Sequence, residues 1–201
     1  TNNKITLFFL NDKHCGILQP LLPIAQGFRI LPKIYIFTQG ELVSSALEVL
    51  WVFASFLPFA ICAAFVVHFL LTKTSRARFL IINILIQQVT CAALKKYLAQ
   101  VRPIGACSTS FGHPSSHSGF TASLVTWFVV EIFFLSKLST FQLTKIHTFF
   151  RNGFILIAPL IPVSRYYLNY HSFEQIVWGL IVGFSCTMIF SMIVLNFKKE
   201  T

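Results

Sequence analysis

The sequence Gly112-His113-Pro114-Ser115-Ser116-His117-Ser118 separates two strongly apolar segments and is unlike either of them. Pro114 suits the first turn of a helix, where its missing N–H costs no hydrogen bond. The next three residues would then present free backbone N–H groups and short polar side chains to an anion. We therefore interpret this stretch as a phosphate-binding turn at the start of a helix. An ordinary helix cap between two apolar helices is the alternative.

The composition is that of an integral membrane protein. Of the 201 residues, 55% are hydrophobic and only 11% are charged, whereas soluble domains carry about 25% charged residues. The formal net charge is +10, but the basic residues lie in short runs between apolar segments, as they do at membrane surfaces. No basic stripe is interleaved with aromatic residues, so nucleic acid is excluded as a partner. The first residue, Thr1, is consistent with loss of an N-terminal targeting segment.

The apolar segments predict an all-α, polytopic membrane bundle of about five to six transmembrane helices. The first uncharged segment is long enough to cross a bilayer, and Pro159 and Pro162 predict a kink in the fourth. The predicted spans are residues 49–72, 79–94, 115–135, 146–164 and 175–197. Residues 1–40 are predicted to be loop and interfacial segments, with a half-buried hairpin as an alternative. Residues 41–197 would then form the membrane domain, and residues 198–201 a cytoplasmic tail.

Five spans divide the loops between two sides of the membrane. Residues 73–78, residues 137–151 and the C-terminus would share one side, and their basic residues assign it to the cytoplasm. The opposite, lumenal or external side would receive the N-terminal region and the loops at 95–117 and 165–173. That side would hold the following ionisable residues: Lys95, Arg102, His117, Arg165 and His171.

Three polar clusters interrupt the apolar chain on that side: Lys95-x6-Arg102-Pro103, Pro114-Ser115-Ser116-His117 and Ser164-Arg165-x5-His171-x3-Gln175. Ionisable groups at membrane depth are costly and usually functional. Lysine and arginine can neutralise a phosphate, one histidine can attack phosphorus, and another can protonate the departing oxygen. Taken singly, the cations are also explained as interfacial anchors and the histidines as structural residues.

The three clusters resemble the signatures of the type 2 phosphatidic acid phosphatase superfamily, whose pattern is K-x6-R-P, then P-S-G-H, then S-R-x5-H-x3-D. The first is intact, Ser116 replaces the glycine of the second, and Gln175 replaces the aspartate of the third. The match covers about residues 40–197. Within the superfamily the chain looks most like the dolichyl diphosphatases, on three features: Gly40-Glu41-Leu42, the serine at 116, and Tyr170-His171-Ser172-Phe173-Glu174-Gln175.

The resemblance implies a role for each residue. His171 would be the nucleophile that forms a phosphohistidine, and His117 would protonate the leaving group and then activate water. Gln175 would orient His171 through its amide carbonyl, and Glu174 could supply the missing negative charge. The phosphate oxygens would be held by Lys95, Arg102, Arg165, Ser115 and the backbone N–H groups of Ser116 and His117. No metal or cofactor is implied. His113 is a candidate for the surrounding shell.

The resemblance also implies a substrate, a polyprenyl (dolichyl) diphosphate in the membrane, hydrolysed to the monophosphate and inorganic phosphate. Two alternatives stay open. One is a phosphatase for sphingoid-base phosphate or phosphatidate. The other is a non-catalytic membrane scaffold or complex subunit, favoured by the change of aspartate to glutamine. The sequence does not indicate an oligomeric state.

The C-terminus and the cysteines support further expectations. Lys198-Lys199-Glu200-Thr201 resembles a dilysine retrieval signal of the endoplasmic reticulum, and a basic stop after a span is the alternative. Cys62, Cys91 and Cys186 lie in apolar runs, where we expect small core residues. Cys15 and Cys107 could meet in a disulfide on one face of the membrane.

Overall fold

The computed structural model describes residues 42–103, 106, 108, 110–134 and 145–199, and the side chains of residues 50–103, 106, 108, 110–134 and 148–196. These residues form helices and no strand, so the predicted all-α class is confirmed for them. The helices are α1 (Leu42–Thr72), α2 (Ser75–Leu98), α3 (Ser116–Phe133), α4 (Lys145–Ile157), α5 (Leu160–Tyr167) and α6 (Phe173–Lys199).

Three of the described helices have the length and apolar composition needed to cross a membrane: Leu50–Thr72, Ser75–Leu98 and Phe173–Asn196. The second is longer than the predicted segment 79–94, because Thr74 caps its first turn and Lys95 and Lys96 lie in its last. The predicted fourth span is broken rather than kinked. One helix ends at Ile157, and the next begins at Leu160 with Pro159 at its N-cap, where no backbone N–H is available to continue the helix.

Helix α3 lies at the centre of the bundle. Phe120, Leu124 and Trp127 are completely buried. The Ser115 hydroxyl accepts a hydrogen bond from the backbone N–H of Ser118 and caps the helix. Pro114 therefore precedes the helix instead of lying in its first turn, which corrects the sequence-based placement.

Helices α3 and α6 approach so closely that their backbones touch. A Cβ atom built on Gly183 would lie 2.0 Å from the carbonyl oxygen of Gly119, and one built on Gly179 would lie 2.4 Å from the carbonyl oxygen of Ser115. Small residues at four-residue spacing permit such an approach between membrane helices. We call these four residues the small-residue seam.

A buried polar ladder continues the seam. Asn83 on α2 donates to the Ser123 hydroxyl on α3 across 2.9 Å, and that hydroxyl lies 2.8 Å from the Thr187 hydroxyl on α6. All three side chains are completely buried, where an unpaired polar group would be costly. The ladder therefore fixes the register of α2, α3 and α6.

The end of the bundle away from Lys95 contains a buried ion cluster. The Nε atom of Arg76 lies 2.5 Å from Oε1 of Glu131, and Nη1 of Arg151 lies 3.9 Å from Oε2 of the same carboxylate. The sequence assigned Arg76 and Arg151 to basic loops. That assignment is wrong, because both arginines lie in helices and are buried against Glu131, whose side chain is also completely buried.

The cysteine predictions have mixed outcomes. Cys91 is completely buried, as expected, whereas Cys62 and Cys186 are only half-buried. The predictions for residues 1–40 and for a Cys15–Cys107 disulfide fall outside the described residues. Of the predicted tail, residues 198–201, the first two belong to the end of α6 and the last two fall outside the described residues.

Candidate active site

A cavity of about 720 Å³ brings the three polar clusters together. The helices α1, α2, α3 and α5 and the segments that precede α3 and α6 contribute its walls. Six of the site residues predicted from the sequence line it: Lys95, Arg102, Ser116, His117, Arg165 and His171. Residues from all three clusters therefore share one cavity, although they are far apart in the chain.

Ser115 occupies a different position from the one predicted. It is completely buried, and its hydroxyl accepts hydrogen bonds from the backbone N–H and the hydroxyl of Ser118. Its backbone N–H donates to the carbonyl oxygen of Gln175 across 2.9 Å. The expectation of a free Ser115 N–H is therefore wrong, because this group joins α3 to α6. The N–H groups of Ser116 and His117 lie in the first helical turn, which has no intrahelical acceptor for them.

His117 lies in the first turn of α3, directly after the cap. Its Nε2 atom is buried and has no hydrogen-bond partner in the described part of the chain. The edge of the ring meets Phe59 of α1, with 5.6 Å between the ring centroids and 75° between the ring planes. An imidazole nitrogen that faces a cavity without a protein partner is available for proton transfer.

Hydrogen bonds fix the orientation of His171. Gln175 donates from Nε2 to the carbonyl oxygen of Val101 across 2.9 Å, so its Oε1 atom must face the other way. Oε1 accepts from the backbone N–H of Ser172 and lies 3.2 Å from Nδ1 of His171. Because Oε1 can only accept, the proton of the neutral imidazole lies on Nδ1 and the lone pair lies on Nε2.

Arg102 is held directly against that lone pair. Its Nη1 atom lies 3.1 Å from Nε2 of His171 and donates to the carbonyl oxygen of Tyr170. Its Nε and Nη2 atoms donate to the backbone carbonyl and the hydroxyl of Ser110, each across 2.9 Å. The guanidinium is therefore oriented at the unprotonated nitrogen of His171.

Arg165 is buried, with 4% of its surface exposed. The sequence treated it as a cation that needs a bound phosphate as its partner. In the structure it donates to the Ser55 hydroxyl and lies 4.2 Å from the centroid of the Tyr170 ring. Its carbonyl oxygen accepts from the backbone N–H groups of Tyr170 and His171. Arg165 thus has protein partners and also shapes the turn that carries His171.

The cavity is strongly positive. Lys95, Arg102 and Arg165 line it, whereas the two acidic side chains that the structure describes, Glu131 and Glu174, do not. Glu174 is exposed, so the expectation that it compensates for Gln175 is wrong. Burial, and then the three nearby cations, lower the pKa of His171 well below its ordinary value, so its imidazole is neutral at pH 7. Burial lowers the pKa of Arg102 to about 10, which leaves it charged.

One wall of the same cavity is apolar. It is formed by Phe56, Pro58, Phe59 and Cys62 of α1, with Phe120 of α3 behind them. Phe59 has 62% of its surface exposed, so this wall reaches the outer surface of the bundle. The cavity therefore joins a cationic site to an apolar path that opens on the outer, apolar face of α1.

Sequence reasoning missed several contributors. Ser55 and Gln88 line the cavity from within apolar spans, and such isolated polar residues were the signal that could have identified them. Nothing in the sequence indicated that Ser110 contacts Arg102. Nothing in it indicated that the Val101 carbonyl contacts Gln175 either. His113 is buried beside Trp178, with 6.0 Å between the ring centroids, and does not line the cavity.

The chain matches the sequence model of a known family and is similar to two known proteins. The sequence model of the PAP2 superfamily matches residues 60–199. The dolichyldiphosphatase of Saccharomyces cerevisiae is 25% identical over 145 residues, which cover 68% of this chain and 59% of that protein. The chain thus spans less than two thirds of the length of this relative. A transmembrane PAP2-type phosphatidylglycerolphosphate phosphatase from Bacillus subtilis, solved by crystallography, is 20% identical. The TM-score is 0.47, with coverage of 96% of this chain and 87% of the other.

Proposed function

The chain belongs to the PAP2 superfamily, and from that membership we propose that it is a membrane-bound lipid phosphatase acting on a polyprenyl (dolichyl) diphosphate. The products are the polyprenyl phosphate and inorganic phosphate. The observation that carries the proposal is the single cavity in which His117, His171 and three cations lie next to an apolar wall. The printed name of the yeast relative, a dolichyldiphosphatase, supports the choice of substrate.

In the first step, the Nε2 lone pair of His171 attacks the terminal phosphorus. A P–N bond forms, the bond from that phosphorus to the bridging oxygen breaks, and the electron pair leaves with the polyprenyl phosphate. Gln175 keeps the proton on Nδ1 throughout, so that the Nε2 lone pair is available for the attack. Arg102, which lies beside Nε2, moves its donors onto the phosphate oxygens as the bond forms.

In the second step, water releases the phosphate. His117 removes a proton from the water through its unpartnered Nε2 atom, and the water oxygen attacks the phosphorus of the phosphohistidine. The P–N bond breaks, its electron pair returns to His171, and inorganic phosphate departs. His117 then releases that proton to the solvent, so each histidine ends the cycle in the protonation state in which it began.

The electrostatics of the cavity suit a diphosphate. Three cations line it and neither of the carboxylates that the structure describes does, and arginine can bind two phosphate oxygens at once. The first turn of α3 adds backbone N–H groups at a helix N-terminus, which favour anions. The apolar wall on α1 would receive the first isoprenoid units of the lipid, since it leads from the cationic site to the outer surface.

We also propose that the site faces the lumen of the endoplasmic reticulum. Arg76 and Lys95 lie at opposite ends of α2, about 28 Å apart at the rise of an α-helix. The basic residues around 73–78 therefore lie at the other end of the bundle from the cavity, as expected if they are cytoplasmic. Labelling of single cysteines placed at positions 74 and 108 in sealed microsomes tests this. Labelling of position 108 from the cytoplasmic side would refute it.

The purified protein tests the proposed reaction directly. In detergent with a chelator present, we expect it to release phosphate from a polyprenyl diphosphate, and His171→Ala to abolish this. His68→Ala is the matched control, because His68 is exposed on α1 and does not line the cavity. Substrate labelled in the terminal phosphate should leave an acid-labile label on the wild type or on His117→Ala. Undiminished turnover by His171→Ala would refute the proposal.

A further inference from the structure

The group that orients His171 is an uncharged amide. Gln175 is 2% exposed, and its Oε1 atom faces Nδ1 of His171 across 3.2 Å. Neither of the two described carboxylates lines the cavity, since Glu131 lies in the ion cluster and Glu174 is exposed. His171 is therefore surrounded by three cations, and no described carboxylate balances them.

This environment makes His171 a weak nucleophile. A neutral imidazole that forms a P–N bond with Nε2 acquires positive charge across the ring. A carboxylate at Nδ1 would stabilise that charge, whereas an amide carbonyl offers only a dipole. The nearby cations oppose the charge, as they also do when they hold the pKa of His171 below its ordinary value. A weakly basic imidazole attacks slowly and is easily expelled from phosphorus.

The leaving group must therefore be a good one. When a phosphoanhydride is cleaved, the departing oxygen belongs to a phosphate, which is a weak base and needs little help from a proton. When a phosphomonoester is cleaved, the departing oxygen becomes an alkoxide, a far stronger base. A nucleophile without an anionic partner is matched to the first reaction and not to the second.

The problem of selectivity makes this match important. The product of the proposed reaction, the polyprenyl monophosphate, has the same lipid chain as the substrate and still carries a phosphate. It is smaller than the diphosphate and is built from the same groups, so we expect the same cavity to admit it and a second hydrolysis to be possible. The site can still distinguish the diphosphate from the monophosphate by the basicity of the leaving group.

We propose that Gln175 is a specificity-determining residue that restricts the site to phosphoanhydrides and spares phosphomonoesters. This inference rests on the proposed function. The amide also has a second contact that a carboxylate could not make, because its Nε2 atom donates to the carbonyl oxygen of Val101, next to Arg102. Gly112 leaves room for it, since a Cβ atom there would lie 2.5 Å from Oε1 of Gln175.

The test compares two substrates with the same chain, a polyprenyl diphosphate and the corresponding monophosphate. We expect wild type to favour the diphosphate strongly in kcat/KM. Gln175→Glu, which keeps the length of the side chain and adds charge, should narrow that ratio by roughly 100-fold through faster cleavage of the monophosphate. Gln175→Met should slow both reactions without changing the ratio. A ratio unchanged in a folded, active Gln175→Glu protein would overturn the inference.

A series of aryl phosphates gives a second readout, which the wild type alone can supply if Gln175→Glu does not fold. We expect kcat/KM of the wild type to fall steeply as the pKa of the leaving phenol rises. A flat dependence would overturn the inference. If Gln175 had a purely structural role, Gln175→Glu would cleave every aryl phosphate more slowly. The dependence of kcat/KM on the pKa of the leaving phenol would then be the same in the variant and in the wild type.

The outcomes separate the two proposals. If wild type fails to cleave the diphosphate, or if His171→Ala still cleaves it, the proposed function is wrong. If wild type cleaves the diphosphate and the monophosphate with similar kcat/KM, and His171→Ala cleaves neither, the proposed function stands and the role assigned to Gln175 is wrong.

Discussion

Arg102 and His171 meet at the atom that would react, with 3.1 Å between Nη1 of the guanidinium and Nε2 of the imidazole. The same guanidinium is fixed from behind by the backbone and the hydroxyl of Ser110. It can therefore transfer to a phosphate with little reorganisation, which is the condition for effective electrostatic stabilisation.

Arg102→Lys should lower kcat/KM for a polyprenyl diphosphate by about 100-fold, because a lysine ammonium lacks the planar fork that contacts Ser110 and the phosphate together. Steady-state phosphate release measures the loss. Arg78→Lys is the control, since Arg78 is exposed on α2, and it should leave the rate unchanged. Equal rates for Arg102→Lys and wild type would contradict the role of the guanidinium fork.

Adjacent lysines provide a matched pair at the end of α2. Lys95 lines the cavity, whereas Lys96 is exposed and does not. Lys95→Ala should reduce kcat/KM by about 100-fold through loss of a charge that holds the phosphate, and Lys96→Ala should change it little. If both variants lost activity equally, Lys95 would be acting through membrane anchoring and not through the substrate.

The lowered pKa of His171 predicts an acid-resistant enzyme. The nucleophile must be neutral, and its pKa lies below the ordinary value because of burial and then the neighbouring cations. Activity should therefore persist as the pH falls through about 6.5, the usual pKa of histidine, and decline only at lower pH. The measurement is the pH profile of kcat/KM.

The pH profile of Gln175→Glu, compared with that of the wild type, separates the ionisation of His171 from that of the substrate. The ionisation of the substrate affects both proteins equally. A carboxylate at this position favours the charged imidazole, so the acid limb of the variant should move to higher pH. Identical acid limbs in the two proteins would show that His171 does not set this limb.

The buried ion cluster predicts a loss of stability. Glu131→Gln would leave Arg76 and Arg151 buried without their carboxylate, at a cost of about 3 kcal/mol in the free energy of unfolding. Thermal unfolding of Glu131→Gln in detergent should have a lower midpoint than that of the wild type. Glu174→Gln should not lower the midpoint, because Glu174 is exposed. Unaltered stability of Glu131→Gln would mean that the two arginines are adequately solvated.

The small-residue seam supplies another matched pair. Gly183→Ala would place a methyl group 2.0 Å from the carbonyl oxygen of Gly119, whereas a methyl group at Gly153 would meet nothing within 4 Å. We expect Gly183→Ala to lose both stability and turnover, because α3, which carries His117, must separate from α6, which begins two residues after His171. Gly153→Ala should behave as wild type. Full turnover by Gly183→Ala would show that the site tolerates this separation.

The sequence predicted the helical class and the convergence of the polar clusters well, for a physical reason. Long uncharged segments can only be membrane helices. Cations between them are energetically unfavourable at membrane depth, which indicates that they belong to one functional site. The side of each helix that a residue occupies was harder to predict. Arg76 was assigned to a loop because the sequence does not indicate that it pairs with Glu131, which is distant in the chain.

The details of the site depended on contacts that no local pattern encodes. The sequence motif predicted that Ser115 holds the phosphate, yet its side chain is buried and its N–H donates to the Gln175 carbonyl. The Val101 carbonyl, which fixes the direction of the Gln175 amide, belongs to a residue whose side chain has no part in the site. Such backbone groups become visible only when the chain is folded.

Because of the small-residue seam, the side of the cavity formed by the starts of α3 and α6 is fixed, whereas the side formed by α1 is adjustable. His117 follows Ser115 at the start of α3, and α6 begins beside His171. Direct backbone contact between α3 and α6 therefore sets the spacing of the two histidines that we propose to be catalytic. The opposite wall, on α1, consists of side chains such as Phe59 and Cys62, which can be exchanged without moving that contact. Changes in preferred chain length, whether by natural divergence or by engineering, should thus accumulate on α1 and leave the chemistry intact.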